Sequence, residues 1–119
     1  MILTLPEINN GERYAGIICV NGVPHHHVIL IKTKTEYLNW DDANKWAQTV
    51  GESPPNRNEQ ALLYANLRDM FISQEFYWSS EQSATDDSYA WVQHFENGTQ
   101  FPIRKLYENR ILAVRRVMI

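Results

Sequence analysis

The sequence predicts an α+β domain, with two consecutive helices packed on a mostly antiparallel, twisted sheet of β-hairpins. Three observations predict it. Residues 12–31 are rich in β formers and are divided by Asn21-Gly22, the strongest short hairpin signal. Residues 39–71 hold two stretches of helical apolar spacing, each opened by an asparagine cap. From Phe76 to Val117, short β-rich runs alternate with turns. At 119 residues the chain reads as a single domain spanning 1–119.

The elements follow in order. Ile2–Leu5 is expected as a short edge strand, and Asn9-Asn10-Gly11 as a turn. Residues 12–20 (ERYAGIICV) and 25–31 (HHHVILI) form the two arms of a hairpin. Gly16 inside the first arm signals a bulge or a close backbone approach. Lys32–Tyr37 is polar and is expected to be a connector. Asn39 caps a helix whose first turn carries Asp41 and Asp42 at the positive end of its dipole. Trp40, Ala43, Trp46, Ala47 and Val50 make its apolar stripe, and Gly51 is expected to end it in a left-handed conformation.

Pro54-Pro55 turns the chain. Asn56 followed by Glu59 has the capping-box spacing, with Asn in place of Ser or Thr. The second helix is expected over about Arg57–Phe71, with a stripe of Leu63, Leu67, Met70 and Phe71 widened by Leu62 and Ala65. Phe76–Trp78 is a strand, Glu81–Ser88 an exposed loop and Tyr89–Phe95 a strand. Asn97-Gly98 is a second turn signal, and Gln100–Lys105 returns with Pro102 arguing for an edge. Leu106–Arg110 is a loop, and the apolar run Ile111–Val117 is expected to lie centrally in the sheet.

Composition excludes some functions. Apolar residues make up 44% and charged residues 21%, an ordinary globular balance. A net charge of −3 and a pI near 5.7 give no basic footprint for nucleic acid. No apolar run approaches the roughly 20 residues that span a membrane. The N-terminus lacks the basic and apolar regions of a classical signal peptide. Cys19 is the sole cysteine, so no internal disulfide forms, which fits a reducing compartment. The cytoplasm or a larger non-secreted particle is the expected location.

An ordered set of short motifs carries a resemblance. It runs through Trp40-Asp41-Asp42-Ala43 with Trp46-Ala47, Pro55-Asn56-Arg57 leading into Glu59 and Leu62-Leu63, and Tyr77-Trp78-Ser79-Ser80. It continues with Ala90-Trp91, Phe95 and Gly98, and ends at Val114-Arg115-Arg116. Over about residues 12–117 the chain resembles the Lcl C-terminal domain family, a domain of unknown function common in bacteria, phages and prophages. Where that family usually has Leu-Pro-Thr-Arg, this chain has Pro54-Pro55-Asn56-Arg57, which keeps the turn and the cap. The resemblance implies a C-type-lectin-like fold in which the termini pair, two helices flank the sheet, and long loops and late strands meet the ligand. It also implies a more distant likeness to formylglycine-generating enzymes.

Candidate chemistry is sparse. His25 and His27 share one face of a strand and could chelate, but no third ligand stands at metal spacing. Asp86-Asp87 with Glu81 is the acidic cluster nearest the right loop for calcium, yet the lectin signatures Glu-Pro-Asn, Gln-Pro-Asp and Trp-Asn-Asp do not occur. Neither cluster supports a metal, and no cofactor is expected. Formylglycine-type chemistry uses cysteines, and the single Cys19 falls in an expected buried strand. Ser79 and Ser80 lack a nucleophile elbow and read as a strand end. The four tryptophans read as core more readily than as sugar platforms, and one of Arg115 and Arg116 as an ion-pair partner of Asp42 or Glu59.

The expected function is therefore non-catalytic binding of a protein or glycan through the 81–110 face. The candidate contacts are Glu81, Gln82, Asp86, Tyr89, Trp91, Gln93, Gln100, Arg104, Tyr107 and Asn109, aromatic anchors mixed with hydrogen-bonding side chains. Two alternatives stand beside it. One is a phage or prophage accessory protein that binds and inhibits a host enzyme or defence complex. The weaker is a metal-dependent enzyme of the formylglycine-generating type. Exposed aromatics could equally build a homodimer.

Overall fold

A computed structural model describes residues 4–119. Ile2 and Leu3 of the expected first strand lie outside the described residues, and Thr4 and Leu5 are not in a strand. The elements are β1 (Arg13–Val20), β2 (Val23–Leu38), α1 (Trp40–Val50), α2 (Arg57–Leu67), a short 3-10 turn (Arg68–Met70), β3 (Phe76–Gln82), β4 (Tyr89–His94), β5 (Gln100–Arg104) and β6 (Asn109–Met118). Six strands form one mixed sheet in the order β1-β2-β6-β3-β4-β5. Every pairing is antiparallel except β3 with β6.

The two helices cover opposite faces. Neighbouring strand residues point to opposite sides. On β6, Ile111 packs with Ala43 of α1, whereas Leu112 and Val114 pack with Leu63 of α2. β6 is therefore buried on both sides, as its apolar run requires. Its partner is β2, with β1 outside β2, so the two terminal strands do not pair directly as the family resemblance implies.

β3 and β6 meet only at Tyr77 opposite Arg110 and then diverge. The segment Ser53–Pro55 fills the gap. Ser53 bridges to Val114 on one side, and the Pro55 carbonyl accepts the Ser80 N–H on the other at 2.9 Å. Ser79 and Ser80 are thus a bulge within β3 rather than its end, and β3 continues to Gln82.

Both asparagine caps are present. Asn39 accepts the Asp42 N–H, and Asn56 with Glu59 forms a complete capping box. Asn21 (φ 51°) and Gly22 (φ 79°) both have positive φ, which the tight hairpin turn demands. Gly16 sits in a β1 bulge with φ 132°, where a Cβ would meet Leu62 and Asn66 at 3.2 Å.

Other expectations are corrected. Lys32–Tyr37 is strand, because β6 continues to pair with it past a bulge at Ile31. Gly51 is not left-handed (φ −161°); a Cβ there would lie 2.7 Å from Ile31 Cδ1 and 3.1 Å from the Val114 carbonyl. α2 stops at Leu67, and it buries Glu59, Gln60 and Leu63 rather than Ala65 and Met70, which are exposed. Cys19 is exposed on the outer strand β1. Among the described residues, no helix is long and apolar enough to cross a membrane.

Candidate functional site

The α2 N-terminus and the adjoining face of β4 and β5 build one surface. Tyr89, Trp91 and Gln93 project to the side of the sheet that α2 covers. Across the ladder they oppose Arg104, Pro102 and Gln100. The capping box holds Arg57 at the first helical position, and its guanidinium lies 3.5 Å from the centre of the half-buried Trp91 ring. Arg57 Nε donates to Gln100 Oε1 at 3.0 Å, and Gln100 Nε2 donates back to the Arg57 carbonyl at 2.8 Å. Glu81 Oε2 accepts the Arg57 backbone N–H at 2.6 Å, a carboxylate at the positive end of a helix. Arg104 repeats the stack less closely, 5.5 Å over Tyr89. Two residues along a strand separate the stacks by about 7 Å.

Five of the ten candidate contacts meet here: Glu81, Tyr89, Trp91, Gln100 and Arg104. Gln82 instead accepts from Lys105, which sits 4.5 Å over the Trp40 ring. Asp86 is folded back on Ser88, whose N–H and hydroxyl both donate to Oδ1 and lower the carboxyl pKa. Tyr107 stands exposed in the β5–β6 turn. Two expectations are overturned by burial. Gln93 is fully buried, donating to the Gln60 carbonyl at 2.7 Å and accepting from Gln100 at 2.8 Å. Asn109 is buried where β6 pairs with Leu38. Gln93 positions the surface from beneath and cannot touch a partner.

Arg57 is the residue that function-directed reading of the sequence missed. A signal was available, because a cation in the first turn of a helix opposes the macrodipole. Such a residue needs another reason to be there.

Beside this surface, Glu59 joins α2 to β2 and β6. Its side chain is wholly buried, and it accepts from Arg116 at 2.6 and 2.7 Å. It also accepts from His26 Nε2 at 2.8 Å and from the Asn56 N–H at 2.9 Å. Burial pushes the Glu59 carboxyl up, but Arg116, Asn56 and His26 together outweigh it, and the pKa falls below the ordinary 4.5. An ionised Glu59 can only accept, so His26 Nε2 carries a proton. His26 Nδ1 lies 2.8 Å from His25 Nδ1, and His27 Nδ1 lies 2.8 Å from the Tyr14 hydroxyl. His25 and His27 thus have different partners. Arg115 pairs with Glu12 at 2.9 Å, so both arginines of the pair are engaged.

No family model matches the chain. No curated protein matches it either.

Proposed function

We propose that this chain is a non-catalytic binding domain that recognises a protein partner through the Arg57–Trp91 surface. One observation carries the reading: the guanidinium of Arg57 sits 3.5 Å over the Trp91 ring and is held there by Gln100. Stacked arginine and tryptophan at a rigid site are the residue types that dominate binding energy at interfaces. Only Nε of Arg57 is used within the domain among the described residues, so its two terminal nitrogens can fork onto a carboxylate of the partner. A sugar would stack on a bare aromatic face, and Arg57 occupies one face of Trp91, which favours a protein over a glycan. A C-type-lectin-like fold and kinship with the Lcl C-terminal domain family belong to the same proposal. The helix pair flanking the sheet and the late-strand position of the surface support them.

The test is capture from a bacterial host lysate with wild type and Arg57→Glu/Arg104→Glu, with and without EDTA. A dominant protein held by wild type in both conditions and lost by the variant supports the reading. If it proved to be a host enzyme or defence component, the accessory-inhibitor role would follow. Glycoconjugates released by EDTA, or equal capture by both proteins, would overturn it.

A further inference from the structure

We propose that the Arg57–Trp91 surface reads a pair of acidic side chains two residues apart on an extended segment of the partner. The inference rests on the binding role proposed above and names what that role recognises. Tyr89 and Trp91 stand two apart on β4, so both point to one side of the sheet. Each carries a guanidinium, Arg57 at 3.5 Å from the Trp91 ring centre and Arg104 at 5.5 Å from that of Tyr89. The two cations therefore rest on residues about 7 Å apart along one strand. Residues two apart on an extended partner lie on one face at the same spacing. One carboxylate can then meet each guanidinium.

Among the described residues, neither guanidinium has a carboxylate within 4.0 Å. The acids beside the surface are engaged elsewhere, Glu81 with the Arg57 backbone N–H and Asp86 with Ser88. Backbone pairing is not the mode of recognition, although β5 is the edge strand. Lys105 donates to the Ser88 carbonyl, so the alternate residues Gln100, Pro102 and Arg104 turn their backbone groups outward. Of these, Pro102 has no N–H, and the Arg104 carbonyl already accepts from Tyr107. An added strand would meet a broken ladder, which leaves recognition to the side chains. The sequence also decides against a second copy as the source. Among its 14 acidic residues, no two stand two, three or four positions apart. No single extended or helical segment of this chain therefore presents such a pair on one face.

The probe is a pair of capped hexapeptides of one composition, Ala-Glu-Thr-Glu-Thr-Ala and Ala-Glu-Glu-Thr-Thr-Ala, each titrated into the ¹⁵N-labelled full chain. Saturable shifts at the Trp91 indole and at the Nε–H of Arg57 and Arg104 are expected with the spaced peptide. The adjacent isomer turns one glutamate away and should bind roughly three- to fivefold more weakly, the worth of one exposed ion pair. In Arg104→Gln, an exposed substitution whose fold the amide spectrum checks, the two peptides should bind alike. Equal binding by wild type, a preference retained in Arg104→Gln, or no saturable shift at millimolar peptide would overturn the proposal. So would tighter binding of a glutamate-free hexapeptide with a single phosphoserine, or a dimer of the free protein that shields Trp91. Lysate capture separates this failure from that of the binding role. A partner held by wild type and lost by Arg57→Glu/Arg104→Glu, with the two peptides bound alike, overturns the acid pair alone. Capture unchanged by that variant overturns the surface itself.

Discussion

Replacing Glu59 by alanine should be among the damaging single changes on the α2 side of the sheet. The substitution removes four hydrogen bonds at once and leaves the Arg116 guanidinium without its buried partner. Breaking a buried pair from one side costs about 3–5 kcal/mol. Arg116 is 19% exposed and keeps Ser53 at 2.9 Å and Glu52 at 3.6 Å, which places the loss at the lower end. Losing half of the capping box adds about 0.5–1 kcal/mol. The expected loss is about 3–4 kcal/mol. An unfolding entropy of about 0.25 kcal/mol/K for a chain of this length turns that into a Tm fall of about 12–16 °C. Urea unfolding followed by tryptophan fluorescence reads it directly. The pair also has a pH signature. Glu59 has a lower pKa folded than unfolded, so its stabilisation is complete above the ordinary 4.5 and is lost as pH falls through the folded value. Wild type should weaken from about pH 5 downward, and Glu59→Gln should lack that part of the slope. A loss below about 1 kcal/mol for Glu59→Ala would refute the argument that a desolvated charge pair anchors this helix.

The remaining expectations are simpler. Gly51→Ala should cost about 1–3 kcal/mol in chemical denaturation, because the new methyl group meets Ile31 and the Val114 backbone; an unchanged midpoint would mean that α1 can lift freely. Gln93→Ala should cost about 2 kcal/mol of stability through the loss of buried hydrogen bonds, whereas Arg57→Glu should shift Tm little yet abolish partner capture; the opposite pattern would exchange their roles. Cys19 should react completely with a thiol reagent in the native protein within minutes, and protection until denaturant is added would contradict its exposed position.

Elements governed by local chemistry were legible in the sequence. Asn39 and Asn56 announced both helices because a cap acts on backbone groups two or three residues away. Asn21-Gly22 announced its hairpin because φ must be positive there. What escaped depends on distant partners. Lys32–Tyr37 is polar on both faces, and only β6, some eighty residues later, makes it a strand. The asparagine-glycine at 97–98 reads as a tight turn, yet only Gly98 has a positive φ, and the loop is wider, closed by the Thr99 carbonyl accepting from His94. Gln93 reads as surface until its buried partner is seen, the Gln60 carbonyl, while the Gln60 side chain itself donates to the Tyr77 carbonyl. The candidate surface was half visible for the same reason. Tyr89, Trp91, Gln100 and Arg104 share neighbouring strands and could be grouped from the late hairpin. Arg57 comes from another element, and only the packing of α2 brings it over Trp91.

The divergence of β3 from β6 makes this sheet two tied panels rather than one continuous fabric. Between β1-β2-β6 and β3-β4-β5 the direct backbone join is a single residue pair among those described. The stitching falls to other groups. The Trp78 indole donates to the Leu38 carbonyl at 2.8 Å and the Trp40 indole to the Ser79 carbonyl at 2.9 Å, each crossing from one panel's side to the other. Side-chain stitches open more readily than a ladder, so each panel can exchange its amide hydrogens as a separate cooperative unit. The Arg57–Trp91 surface lies where α2 meets the second panel, and β1 and β2 lie on the first. A ligand that tightened the seam would be felt at both.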